Sequence, residues 1–343
     1  MTRAGAVAAA LVAAVVASAA PAAAGPSPAP EAARDAAPRV QRADTVVGTG
    51  TPASCTSRAV VRAVARGGVI AFDCGPDPVT IAMKRTAKVV NTSAKVVLDG
   101  GGTVTLDGRG QRRILYMNTC DRAQVWTTSH CNDQAEPLLV VKRMRLARGN
   151  ASAEAVGSDE GGGGGGAIFA RGGRLRIVDS HFVDNRCART GPDVGGAAVR
   201  VFDQYADRPV VVRRSSFTGG RCSNGSALSS IGVSWRVTGS TFTGNRAVGR
   251  GANPARPGTP GGGSGGAIYM DGDDIHLVLE DSTLTGNRAR EGGGAIFFVS
   301  NDRSGTLTIR GSELVDNPSD GFETIPGIFF LGAGRTVTDS VVR

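Results

Sequence analysis

The chain has 343 residues, 50 of them Gly, with 5% aromatic residues, three His and a formal charge of +9. Glycine at this level without a strict three-residue period excludes collagen. In an exported protein the cationic excess points to acidic polysaccharides, cell-wall polymers or acidic surfaces and away from nucleic acid; a basic surface with no specific partner is the plain alternative.

Met1 and Arg3 open a short basic region, an Ala/Val/Leu run follows from Ala6 to Ala20, and Ala22-Ala23-Ala24 offers small residues for cleavage. This is the layout of a secretory signal peptide over 1–24, so a secreted, extracellular location is expected. Residues 25–50 are rich in Pro and Ala without apolar periodicity and read as a disordered linker. No later apolar run is long enough to span a bilayer, so no transmembrane segment is expected. Residues 51–343 suffice for one large core.

Six Cys after a leader favour disulfides. Proximity in sequence suggests Cys55–Cys74 and Cys120–Cys131. Zinc is the alternative, but no CxxC or Cys/His spacing supports it.

One pattern recurs along the chain. Gly165-Gly166-Ala167-Ile168-Phe169, Gly195-Gly196-Ala197-Ala198-Val199, Gly265-Gly266-Ala267-Ile268-Tyr269 and Gly293-Gly294-Ala295-Ile296-Phe297 open four copies, and Gly225-Ser226-Ala227-Leu228 is a degenerate fifth. The later halves align in columns. Leu175, Val210, Trp235, Leu277 and Leu307 share one; Ile177, Val212, Val237, Leu279 and Ile309 share the next. Ser180, Ser215, Ser240, Ser282 and Ser312 form a third column, and Phe182, Phe217, Phe242, Leu284 and Leu314 a fourth. Asn185, Asn245, Asn287 and Asn317 form a fifth, with Gly220 as the exception. Period-two alternation means strands, and stacked identical positions mean a solenoid whose core no single coil could bury. The fold class is therefore all-β, a single-stranded right-handed parallel β-helix. Cys187 and Cys222 each lie two residues after the fifth column, in neighbouring coils. Stacked strands ~4.8 Å apart bring such a pair within disulfide reach.

Three stretches break the period: about 112–136, with Cys120, Trp126, His130 and Cys131; 151–164, acidic then poly-Gly; and about 248–264, dominated by Gly, Pro and Ala. Inserts in solenoids leave as loops on one face, often the binding face.

The Gly-Gly-Ala-Ile copies, with Phe182-Val183-Asp184-Asn185 and Phe242-Thr243-Gly244-Asn245, resemble the repeats of polymorphic outer-membrane proteins, within the wider pectin-lyase-like β-helix superfamily. Cys55-Thr56-Ser57-Arg58 with Ile70-Ala71-Phe72 is similar to the start of many exported β-helix proteins. Val97-Leu98-Asp99-Gly100 and Leu106-Asp107-Gly108-Arg109-Gly110 resemble their first coils. The resemblance implies a β-helix from about Cys55 onward. It also implies a polysaccharide lyase or hydrolase; repeats this regular, with no unique catalytic constellation, point instead to a noncatalytic adhesin-like surface protein. The outer-membrane proteins end in a translocating barrel. This chain ends on Val341-Val342-Arg343 inside another coil, which suggests self-association through an open strand edge.

A lyase would need a base beside the uronate carboxylate and cations to neutralise it; no cofactor is expected, except calcium if the protein is a lyase. The outward columns Lys142, Val178, Arg213, Thr238, Glu280, Arg310 and Arg143, Asp179, Arg214, Gly239, Asp281, Gly311 supply candidates. Lys142, Arg213, Arg214, Glu280, Asp281 and the outward His181 are candidate catalytic groups; Arg143 and Arg310 are candidate substrate contacts. Cross-coil ion pairs on a solvated face are the structural alternative. Phe169, Tyr269 and Phe297 are either an outward strip for stacking on sugar rings or part of the core. The two functional expectations are thus binding, with or without cleavage, of an acidic or cell-surface glycan, and noncatalytic presentation of a solenoid face.

Overall fold

The computed structural model describes residues 42–125, 128–154 and 163–343. The leader, most of the expected linker and Trp126 lie outside these. Four sheets hold ten, nine, eight and five strands, and all paired strands run parallel. The ten-, nine- and eight-stranded sheets are termed first, second and third; the fourth is a corner sheet of two-residue strands. In one coil, Ile168–Arg171 joins the third sheet, Arg174–Val178 the first, His181–Val183 the second and Arg186–Cys187 the corner sheet. Each sheet collects one strand per coil, which makes the chain a parallel β-helix. One boundary differs: Thr45–Val47 pairs with Gly68–Phe72, so the last residues of the segment read as linker belong to the fold.

The repeat columns are the core. Val210, Trp235, Leu277 and Leu307 are in register, as are Val212, Val237, Leu279 and Ile309, and all are buried. Phe182, Phe217 and Phe242 stack with centroids 4.7 and 4.9 Å apart. Each such burial contributes about 1.5–3 kcal/mol. The Ser column is a buried ladder in which each hydroxyl accepts from the backbone N–H of the Ser one coil before, from Ser180 through Ser340. The Asn column works likewise. Asn287 Oδ1 accepts from Asn245 N at 3.0 Å, Asn317 Oδ1 from Asn287 N at 3.1 Å, and Asn287 Nδ2 donates to Phe242 O at 2.9 Å. Both ladders satisfy polar groups that would be costly to bury unpaired.

Between the first and second sheets every repeat turns on a residue with positive φ: Arg143, Asp179, Arg214, Gly239, Asp281, Gly311 and Asp339. Asp and Gly suit that left-handed conformation; Arg does so at greater cost.

The disulfides Cys55–Cys74, Cys120–Cys131 and Cys187–Cys222 are formed, with Cα separations of 5.7, 5.0 and 4.8 Å. The third joins neighbouring corner strands, as the column register requires. At the N-terminal end lies a helix, Ser57–Arg66, that the repeat does not foreshadow. Thr56 caps it by accepting from Ala59 N, and Gly67, at φ 81°, ends it. Val60, Ala63 and Val64 bury one face in the solenoid core, and the Cys55–Cys74 disulfide ties its start to the end of Gly68–Phe72. In the last coil Gly334–Thr338 is exposed throughout.

Candidate functional site

The first-sheet column Lys142, Val178, Arg213, Thr238, Glu280, Arg310 is in register as expected. Its partner column, with Arg143, Arg214 and Asp281, is the left-handed turn. Most of this strip is neutralised from within. Lys142 Nζ lies 2.9 Å from Asp99, and Arg143 grips both oxygens of Asp99 at 2.8 and 2.5 Å. Arg214 holds Asp179 in the same way at 2.6 and 2.9 Å. Glu280 sits between Arg310 at 3.6 Å and Arg236 at 3.9 Å. Burial raises the Asp99 pKa, but the hydrogen bonds from Arg143 and Lys142 outweigh it and hold the carboxyl below its ordinary range. Arg214 does the same for Asp179. His181 stands on the second sheet, bonded through Nδ1 to Ser216 Oγ at 2.8 Å, and so does not join Glu280 and Asp281. His276 meets Thr306 and Asp274 on the surface.

Phe169, Tyr269 and Phe297 resolve the open choice in a third way. Their strands send Ile168, Ile268 and Ile296 into the solenoid core, so the neighbouring aromatics point outward. Yet they are at most 4% exposed, because Arg113 covers Phe169, the 248–264 loop covers Tyr269 through Asn253, and Phe322 closes over Phe297. They therefore offer no exposed stacking strip. Phe169 lies under Arg113 and beside Tyr116; Tyr269, Phe297 and Phe329 form one stack, closed by the edge of Phe322. Between the two groups sits Arg200, fully buried in the same outward column. Burial pushes its pKa down to about 10. Its guanidinium stacks over Phe202 at 4.4 Å and bonds to Ser229 Oγ and Asp193 O. Asn253, from the 248–264 loop, donates to Tyr269 OH at 2.8 Å, Asp271 at 3.1 Å and Asp193 at 3.0 Å. Arg256 clamps the same loop onto Glu291 through two contacts of 2.9 Å. This polar cluster serves as the roof's fastening.

A concavity lies at the capped end. A cleft of about 560 Å³ runs between the Ser57–Arg66 helix and the corner that follows Val79–Ala82, lined by Val61, Ala65, Val90, Lys84, Arg85, Lys88 and Arg112. Two adjoining hollows share Lys84 and add Arg58 and Arg62, four residues apart on one helix face. Six cations surround this connected space, and no carboxylate lines it. None of the six has an ion pair among the described residues. Arg112 is held in place by bonds to Lys84 O and Gln111 Oε1. The floor is apolar. The arrangement suits an anionic ligand with an apolar face, such as the ring of an acidic sugar.

None of these cleft residues is foreshadowed by the repeat. They come from a helix, a corner and the following coil, spread from Arg58 to Arg112. The sequence signal that was there is Arg58-x-x-x-Arg62 behind the helix cap Thr56. Among the described residues no three His, Cys, Asp or Glu side chains gather as metal ligands, and no helix is long and apolar enough to cross a membrane.

A family model described as the Chlamydia polymorphic membrane protein repeat matches residues 239–271 and 281–299. These stretches hold Phe242-Thr243-Gly244-Asn245 with Gly265-Gly266-Ala267-Ile268, and Leu284-Thr285-Gly286-Asn287 with Gly293-Gly294-Ala295-Ile296: two successive turns of the solenoid. No curated protein and no solved structure matches the chain.

Proposed function

We propose that the protein is an extracellular, surface-type β-helix that binds an acidic polysaccharide without cleaving it, seating the glycan in the cleft at the capped end. The observation that carries this reading is the six-cation cleft with no carboxylate in its lining. Along the first sheet Lys142, Arg143 and Arg214 are matched to carboxylates; in the cleft the cations are left for an external partner. Three disulfides fit an oxidising environment, and the matched repeat is that of a membrane-protein family. Cleavage is set aside because the expected catalytic groups are dispersed. Glu280 is committed to two arginines, and His181 occupies another sheet.

Titration calorimetry with polygalacturonate and with a neutral glucan of similar length tests the reading. Binding of the acidic polymer alone, weakening with salt, is expected. The Arg58→Gln/Arg62→Gln variant should bind about tenfold more weakly, as loss of two surface charge contacts implies. Equal binding of the neutral glucan would overturn the proposal. Unsaturated products detected by ultraviolet absorbance would overturn its noncatalytic half.

A further inference from the structure

The corner strands place one more column in register. Arg186 pairs with Arg221, Arg221 with Arg246 and Arg246 with Arg288, so four arginines occupy equivalent positions in four successive coils. All four are exposed, while the residues after them, Cys187, Cys222, Ala247 and Ala289, are buried. Arg288 ends the row in an ion pair with Asp320 at 2.5 Å. Arg186, Arg221 and Arg246 have no ion pair or side-chain hydrogen bond among the described residues. Like charges stacked at the ~4.8 Å strand spacing repel one another, and for these three no ion pair among the described residues offsets that repulsion. The first sheet shows the contrast: there Arg143 and Arg214, set at one corner two coils apart with Asp179 between them, are each matched to an Asp.

The row points back to the cleft. Asn150 precedes Arg186 in the same column. Its side chain donates to Gly110 O at 2.8 Å and its N–H to Arg112 O at 2.9 Å, and Arg112 is part of the cleft wall. Cleft and arginine row thus share one corner of the solenoid.

We infer that this corner is a track for a linear acidic glycan lying along the solenoid axis, with its anionic groups set about one per coil against Arg186, Arg221 and Arg246 and one end in the cleft. The inference rests on the cleft reading and adds to it a site, a direction and a charge spacing. A sugar ring in an extended polymer is similar in length to the strand spacing, so successive uronates keep step with successive arginines. Each guanidinium can also take a carboxylate with two parallel hydrogen bonds.

Oligogalacturonates of increasing length, titrated against the whole protein and an Arg186→Gln/Arg221→Gln/Arg246→Gln variant, provide the test. The unaltered protein should bind longer oligomers more tightly, with a plateau once the track is filled. The variant should bind the shortest oligomers normally and lose the gain with length, about tenfold for long ones. Its salt dependence should be shallower, and its melting temperature no lower, since repulsion has been removed. Replacing the same three residues by Lys should restore most of the length effect. The track is overturned if the glutamine variant keeps the length dependence, or if it melts lower, which would make the arginines structural. If Arg58→Gln/Arg62→Gln leaves binding unchanged while the glutamine variant abolishes it, the cleft reading falls and the track stands. If the unaltered protein binds no oligomer, both fall.

Discussion

The outward faces of the first and third sheets come from the same coils, one strand apart, and their chemistry differs. On the first sheet, outward residues meet water and pair across coils, as Arg214 does with Asp179. On the third, loops cover the outward residues, and aromatic side chains with Arg113 and Arg200 form a second buried layer outside the solenoid core. A regular repeat fixes what happens inside the coil. What happens outside depends on whether a loop covers the strand, because burial changes an aromatic from a liability into a source of stability and a charge from cheap to expensive.

The sharpest way to break this contrast is to truncate the roofed stack. Phe297→Ala removes a ring between Tyr269 and Phe329 and should cost about 3–5 kcal/mol in denaturant unfolding, the loss typical of an interior Phe. A cost no larger than that of an exposed position would show that the roof is loose. Tyr269→Phe is milder. It leaves Asn253 and Asp271 without the phenol and should cost about 1–2 kcal/mol, with faster proteolysis within 248–264. Cleavage at the unaltered rate would show that Asn253 is not what fastens that loop.

The legibility of the two faces follows the same division. Inward columns could be read because an identical requirement repeats every coil; Cys187 and Cys222 fell into place from the column alone. The orientation of Phe169 and Tyr269 could not, since a covered outward face lacks the polar alternation that marks a wet one. The expected strip of cations was in register, but its neutralisation was hidden: Asp99 lies 44 residues from Arg143, and Asp179 lies 35 from Arg214. The helix wall of the cleft was passed over because ten residues of period 3.6 interrupt a period-two chain. The arginine row stood one position beyond the Asn column, in Asn185-Arg186, Gly220-Arg221, Asn245-Arg246 and Asn287-Arg288. It was legible, and it needed only that the alignment be carried past the corner.

The smallest expected effect concerns the wet face. Asp179→Asn keeps a residue that tolerates the left-handed turn and removes the charge that Arg214 grips. Because the pair is largely exposed, the loss should be at most about 1 kcal/mol. Its pH dependence identifies it. Arg214 lowers the folded pKa of Asp179 below the ordinary 3.8, so the ionised form favours the fold. That contribution is complete above 3.8 and disappears as the pH falls through the lowered value. Asp99 behaves in the same way. The melting temperatures of the parent and Asp179→Asn should therefore differ slightly at neutral pH and in low salt, and converge in acid or molar salt. A difference that persists in acid would mean that the side chain's packing at the turn, and not its charge, is what the wet face uses.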